Sequence, residues 1–208
     1  MNPMAAAAFV IAAYLIGSLS FAVIVSRAFS LPDPRSYGSG NPGATNVLRT
    51  GKKLAALLTL LGDGGKGWLA VFLAARYAPD YGVDAAGVAS CAIAVFLGQV
   101  CPAFFRFAGG KGVATAGGIL FAINPWLGAA TLATWVIIAL FFRYSSLAAV
   151  SAAGFAPLYA FFLFGMSPAL PAVILISALL VWRHKKNILK LIAGKEDRIG
   201  EKQDSAGP

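Results

Sequence analysis

Three short segments combine glycine with basic or hydrogen-bonding side chains in patterns able to hold an anion. The first runs Tyr37-Gly38-Ser39-Gly40-Asn41-Pro42-Gly43-Ala44-Thr45-Asn46-Val47-Leu48-Arg49. Its glycines let backbone N–H groups turn toward a ligand, Ser39, Asn41, Thr45 and Asn46 add neutral hydrogen bonds, and the Arg49 fork suits a phosphate. An ordinary surface loop uses the same turn-forming residues. The second, Gly109-Gly110-Lys111-Gly112-Val113-Ala114-Thr115-Ala116-Gly117-Gly118, leads a Gly-Gly-Lys turn into an apolar helix. Free N–H groups at that helix start and the Lys111 ammonium can converge on one anion. Lys111 alone also suits an interfacial anchor. A nucleotide-binding Walker A loop is excluded, because Phe105 stands where that pattern needs glycine and Gly112 where it needs Ser or Thr. The Gly65-Lys66 and Gly51-Lys52 pairs fail as well, with Leu60 and Asn46 in the first glycine's place.

The third segment, His184 to Glu196, carries the chain's single histidine. On a continuing helix, His184, Asn187 and Leu191 share a face at spacings of three and four. A basic juxtamembrane helix binding anionic lipid heads reads the same way. Asp63 and Lys66, at a three-residue spacing, can pair on one helix face. Charges within a span are costly, so such a pair braces the structure or lines a wet cavity. Arg143, followed by Tyr144, Ser145 and Ser146, offers one more anion contact. No metal constellation is evident and no cofactor is expected. Cys91 and Cys101 lie in one apolar stretch far from His184, which is neither a disulfide framework nor a zinc spacing. Both read as small core residues.

The elements that position these groups are apolar. Of 208 residues, 59% are hydrophobic and 12% charged, and the mean hydropathy is +0.76, which excludes an ordinary soluble domain. Stretches long enough to span a bilayer or nearly so are 4–26, 54–77, 83–105, 112–124, 126–142, 146–165 and 168–183. The first lacks the basic start of a cleaved signal peptide, since no Lys or Arg precedes Arg27, and reads as a retained helix. The second is interrupted by Gly62-Asp63-Gly64-Gly65-Lys66-Gly67. The fourth is short and rich in small residues, as in a half-depth helix or a tightly packed crossing.

The charges bear on this count independently. With the first stretch starting outside, 15 of the 17 basic residues fall on one face, which the positive-inside rule makes cytoplasmic. An odd number of crossings follows, so the expectation is an all-α integral membrane protein forming a compact bundle of seven transmembrane helices. Its N-terminus is outside, its C-terminus is cytoplasmic, its fourth helix is short, and residues 1–208 form one domain. All three polar segments then lie on the cytoplasmic face. No internal repeat of the secondary-transporter kind is visible. The tail after Gly194 is polar and is expected to fray over residues 203–208.

At these three segments the sequence resembles the bacterial acyl-phosphate:glycerol-3-phosphate acyltransferases, membrane-integral enzymes of phospholipid synthesis. The motifs are matched by Ser39-Gly40-Asn41 through Gly43-Ala44-Thr45-Asn46 to Arg49, by Gly109-Gly110-Lys111-Gly112-Val113-Ala114-Thr115, and by His184, Asn187-Ile188 and Gly194 with Glu196. The likeness covers nearly the whole chain. It implies seven crossings in the bacterial inner membrane, and transfer of a fatty acyl group from acyl phosphate to the 1-position of glycerol 3-phosphate, with lysophosphatidic acid and phosphate as products. Acyl phosphate, glycerol 3-phosphate and membrane lipids are the implied partners; no nucleic acid is expected. Lys190 stands where the resemblance calls for Arg, an ammonium in place of a planar fork.

The residues fit such chemistry. Arg49, Lys111, Arg143, Ser146 and Lys190, with Gly40, Asn41, Thr45 and Asn46, are candidates for holding phosphate. Ser39, Asn41 or backbone N–H groups are candidates for stabilising an oxyanion, and His184 with Asn187 for the catalytic centre. A substrate phosphate oxygen is the alternative base, with His184 then binding and orienting. Asp63, Lys66 and Glu196 are supporting residues, Glu196 as a brace for the cations. Leu189 stands five residues after His184, so the His-x4-Asp mechanism of soluble-type glycerolipid acyltransferases does not transfer. The competing readings are an organic-phosphate transporter or channel and a non-catalytic lipid-binding scaffold.

Overall fold

A computed structural model describes residues 2–199; Met1 and the end of the tail, including 203–208, lie outside the described residues. Every regular element among the described residues is helical: α1 (Pro3–Gly17), α2 (Phe21–Ala28), α3 (Ala44–Leu48), α4 (Lys53–Tyr77), α5 (Ala85–Val100), α6 (Val113–Ile123), α7 (Pro125–Phe142), α8 (Ser145–Phe164), α9 (Ala169–Arg183) and α10 (Lys185–Ile192), with short 3-10 turns at Ala78–Tyr81 and Ala103–Phe105. The all-α expectation holds. Lys53–Tyr81, Ala85–Phe105, Pro125–Phe142 and Ser145–Phe164 are long and apolar enough to cross a bilayer, whereas Val113–Ile123 and Ala169–Arg183 are shorter apolar helices.

The expected helix over 4–26 is not continuous. It divides into α1 and α2, bent by 40° across Ser18–Ser20. Ser18 Oγ donates to the Tyr14 carbonyl at 2.9 Å, and the Leu19 carbonyl, freed by the break, accepts from Lys66 Nζ. Irregular backbone within an apolar bundle persists only where the protein satisfies it, and here a buried ammonium does so. Conversely, the glycine-rich stretch 62–67 does not interrupt α4, which runs unbroken for 25 residues. Gly62, Gly64 and Gly67 face packed neighbours, whereas a Cβ at Gly65 would meet nothing within 4 Å. A Cβ at Gly118 of α6 would stand 2.8 Å from the Gly64 carbonyl carbon, so α4 and α6 meet backbone to backbone. The same device joins α1 to α5, where a Cβ at Gly98 would lie 2.8 Å from the Gly17 carbonyl carbon.

The α6–α7 corner is built by Asn124, whose Oδ1 accepts from the N–H groups of Trp126 at 2.8 Å and Leu127 at 3.2 Å, with Pro125 at the first helical position. Antiparallel α7 and α8 turn through Arg143, which has a left-handed φ of +62°. The α9–α10 helix does not continue through His184 but breaks there, and α10 exposes Leu189 and Ile192. Cys91 is buried in the core; Cys101 is exposed, because it follows the last turn of α5 rather than lying within it.

Candidate active site

The three glycine-bearing segments meet at the mouth of one cavity of about 950 Å³. The mouth is lined by Ser39, Asn41, Thr45, Arg49, Lys111, Ser145, Ser146, His184, Asn187 and Glu196. From there the space continues between α4, α6, α7, α8 and α9 past Leu57, Leu60, Trp68, Leu120, Leu132, Trp135 and Ile176. A polar head and an apolar run are thus parts of one volume.

The first loop is shaped by Asn46. Its Nδ2 donates to the carbonyls of Pro34 at 2.7 Å and Tyr37 at 3.2 Å, and its Oδ1 accepts from the Ser39 N–H at 3.0 Å. The side chain is 2% exposed and, although Asn46 lines the cavity, these three hydrogen bonds commit its amide to the loop's own backbone. Gly38 and Gly40 both take left-handed φ values, +58° and +66°, which the turn before Asn41 requires. Gly40 stays outside the cavity wall, leaving Ser39 and Asn41 to face it. The hydroxyls of Thr45 and Ser145 stand 3.3 Å apart, joining this loop to the start of α8. Ser146 Oγ is buried without a partner on the same wall.

Lys111 Nζ donates to Asn187 Oδ1 at 2.7 Å, and Asn187 Nδ2 donates to Glu196 Oε1 at 2.6 Å, a relay linking the second and third segments. Burial pushes the Lys111 ammonium down to about 8; Glu196 opposes that shift, while Arg183, Lys190 and Arg49 reinforce it. His184 is 2% exposed, and its Nδ1 lies 2.8 Å from the Leu180 carbonyl. A carbonyl only accepts, so Nδ1 carries the proton and Nε2 is the ring's acceptor. Burial drives this imidazole down to about 4, so the ring is neutral at pH 7.

Arg49 Nη2 pairs with Asp197 Oδ2 at 2.8 Å at the mouth. Two expected phosphate ligands stand elsewhere. Arg143 donates from Nη2 to the Ile199 carbonyl at 3.1 Å, and its own carbonyl accepts from the Ile199 N–H at 2.7 Å; it lies outside the cavity wall because the polar tail folds back onto it. Lys190 is exposed on α10, also outside the wall, and reaches the site only through its charge on Lys111. Asp63 and Lys66 pair at 3.0 Å in the interior, and Asp63 alone of the two reaches the wall.

The family model for glycerol-3-phosphate acyltransferase matches residues 7–194. The chain belongs to the glycerol-3-phosphate acyltransferase family. Relatives named glycerol-3-phosphate acyltransferase from Cupriavidus pinatubonensis (strain JMP 134 / LMG 1197) and Ralstonia pickettii (strain 12J) are 64% and 63% identical to it, over 96% and 99% of this chain and 99% and 100% of theirs. The chain also superposes on a crystal structure of PlsY (YgiH), an integral membrane glycerol 3-phosphate acyltransferase, in its glycerol 3-phosphate form, with a TM-score of 0.87 and 38% identity over 94% of this chain and 96% of that one. The lysophosphatidic acid form of the same protein gives a TM-score of 0.85 at 37% identity. Enzyme class and membrane-integral architecture therefore agree with the expectation from the three motifs.

Against this acyltransferase frame, several residues that shape the site carry little signal in the sequence. Arg183 donates from Nη2 to the carbonyls of Gly109 at 3.0 Å and Gly110 at 3.2 Å and so holds the turn before Lys111. Asp197 lies in a polar tail where no pattern marks it. Gln99 lines the cavity from the last turn of α5, and its signal was available: an amide in an otherwise apolar stretch is costly and needs a reason.

Proposed function

We propose that this acyltransferase transfers a fatty acyl group from acyl phosphate to the 1-hydroxyl of glycerol 3-phosphate, giving lysophosphatidic acid and inorganic phosphate. The observation carrying this reading is the single cavity whose cationic mouth opens into an apolar run. Phosphates occupy the mouth near Lys111 and Arg49, and the acyl chain lies between the helices. The hydroxyl oxygen attacks the acyl carbonyl carbon, and the resulting oxyanion is met by Ser39, Asn41 or backbone N–H groups of the first loop. Collapse breaks the bond between that carbon and the phosphate oxygen, and Lys111 and Arg49 neutralise the departing phosphate. Acyl phosphate is already activated, so holding two anions together in register supplies much of the acceleration.

The hydroxyl proton has two available acceptors. A His184 held near 4 by burial is a weak base at pH 7, whereas a phosphate monoester oxygen titrates near about 6 and is better matched. The proton therefore passes to a substrate phosphate oxygen, and His184 with Asn187 orients the reacting groups. Glu196 braces Asn187, and through it Lys111.

Residues 1–208 form one domain that crosses the bacterial cytoplasmic membrane seven times. The bent α1–α2 pair counts as one crossing, and α6 and α9 supply the two short ones. The N-terminus is outside and the active site faces the cytoplasm, which the one-sided distribution of Lys and Arg supports.

The test is incubation of purified protein in detergent with long-chain acyl phosphate and glycerol 3-phosphate. Lysophosphatidic acid formed without nucleotide or acyl carrier is the expected result, and a parallel reaction with acyl-CoA checks the donor. Acyl transfer from acyl-CoA alone overturns the donor assignment. His184→Ala with near-normal turnover at saturating substrates is compatible with a substrate base and eliminates a protein base.

A further inference from the structure

Gln99 stands where the first two polar segments touch. Its backbone carbonyl accepts from the Gly110 N–H at 3.1 Å. A Cβ on Gly110 would lie 2.8 Å both from Gln99 Nε2 and from the Pro42 carbonyl oxygen, so the amide nitrogen sits in the seam between the Ser39–Ala44 loop and the Gly109–Gly112 turn. The residue is 5% exposed and forms part of the cavity wall.

The orientation of this amide is imposed from behind. Lys66 Nζ donates to Gln99 Oε1, to the Leu19 carbonyl and, at 3.0 Å, to Asp63 Oδ1. An ammonium has donors only, so the atom turned toward it must be the amide oxygen, and the NH2 group is directed the other way. No described residue accepts a hydrogen bond from that nitrogen. An amide whose oxygen is clamped in the interior and whose NH2 group reaches the cavity with both donors unspent among the described residues, at a seam flanked by Asn41 and Lys111, is placed to meet an oxygen from outside the chain.

We infer that Gln99 is a further substrate-binding residue, presenting its Nε2–H donors to an anionic oxygen of a bound phosphate, with Lys66 as the positioning residue that fixes its direction. The inference rests on the two-phosphate reading above. It assigns Lys66 and Asp63 a task beyond bracing: they hold an amide that faces the cavity, 33 residues along the chain from Lys66.

Gln99→Glu separates this role from a structural one, because it keeps an oxygen for Lys66 and turns the donor end into an acceptor. If Gln99 serves only Lys66, the glutamate preserves both folding and kinetics, and Gln99→Leu is the worse variant. If it binds phosphate, the order reverses: Gln99→Glu raises KM at least tenfold, more than Gln99→Leu does, while unfolding in detergent at a temperature equal to or above that of Gln99→Leu. A shift in the KM for glycerol 3-phosphate assigns the oxygen to the acceptor, and one in the KM for acyl phosphate assigns it to the donor. Both KM values within twofold of wild type in Gln99→Glu, or a larger shift in Gln99→Leu, overturns the inference. Should either variant not fold, Gln99→Met takes its place, and glycerol 3-phosphate or inorganic phosphate is then expected to raise the unfolding temperature of the wild type by more than that of Gln99→Met. Equal shifts for both ligands overturn the inference. Arg49→Ala and Lys111→Ala run alongside: if they raise KM and Gln99→Glu does not, only the Gln99 assignment fails, whereas no effect in all three removes the phosphate site itself.

Discussion

Two ion pairs of this molecule differ in a way that sorts its cations. Lys66 and Asp63 are 2% and 4% exposed, lie on one helix, and are joined by acceptors from α5 and the α1–α2 break. Arg49 and Asp197 are 24% and 46% exposed, and Asp197 belongs to the tail beyond α10. The first pair is held from several sides by fixed elements, so its charges are compensated within the protein and act on substrate only through the Gln99 amide they hold. In the second a carboxylate occupies a guanidinium at the mouth of a cavity, where an incoming phosphate can replace it. Lys111 lies between the two cases: its neighbour Asn187 is neutral, and burial already weakens its hold on the proton. A cation's function in this bundle therefore follows from how much of its charge its own protein has compensated.

The most severe break of the comparison is Lys66→Met, which leaves Asp63 buried without its counter-charge. It is expected to lose about 3–5 kcal/mol of stability in detergent unfolding, and Asp63→Leu combined with Lys66→Met to recover much of that loss. Lys111→Ala comes next, with kcat/KM for acyl transfer reduced roughly 10²–10³-fold, the scale of one removed transition-state donor, and little change in unfolding. Because the charged ammonium is the competent form and burial holds it near 8, kcat/KM is expected to fall as pH rises through about 8, and Lys111→Arg to remove that limb. Arg49→Ala is expected to raise the KM of the phosphate substrates by roughly 10–100-fold, the worth of about 1.5–3 kcal/mol for a hydrogen bond to a charged group. A wild-type kcat/KM that does not fall above about pH 8, or an unchanged KM in Arg49→Ala, would break the contrast between spent and unspent cations.

Smaller effects sharpen it. A Cβ at Gly117, on the apolar wall, meets nothing within 4 Å, so Gly117→Leu is expected to fold normally while shifting preference among acyl phosphates toward shorter chains in competition assays. Asp197→Ala should change stability by less than about 1 kcal/mol, as for other partly exposed pairs. It should also lower the KM for a phosphate substrate a few-fold by releasing Arg49.

The helical class and the three polar segments were readable because each is a local pattern: apolar length for the helices, glycine beside polar or basic residues for the site. The break between α1 and α2 was not, since Ser18-Leu19-Ser20 suits a continuous apolar helix and the group that stabilises the break, Lys66, lies 47 residues downstream. Gly62 to Gly67 misled in the opposite direction: glycine signals a break in isolation, but against α6 it permits contact. Arg143 was assigned to phosphate by charge and expected face, and Lys190 by its place in the third motif of the resemblance. The return of the tail onto Arg143 decides its partner, and that return is a tertiary fact. Asn46 sits inside the first polar segment yet its amide serves the loop's own backbone, a distinction that residue type does not carry.

The acceptors around Lys66 also have an order in time. A chain made from its N-terminus forms domains and elements as they emerge. The Leu19 carbonyl precedes α4 in synthesis, Asp63 arrives with it, and Gln99 follows 33 residues after Lys66. When α4 leaves the insertion machinery its ammonium therefore already has two oxygens within the synthesised chain, and the third comes only with α5. The charge enters the bilayer accompanied, and the docking of α5 both completes its coordination and sets the Gln99 amide in place, before the helices that bring Lys111, Ser145 and His184 to the same mouth have been made.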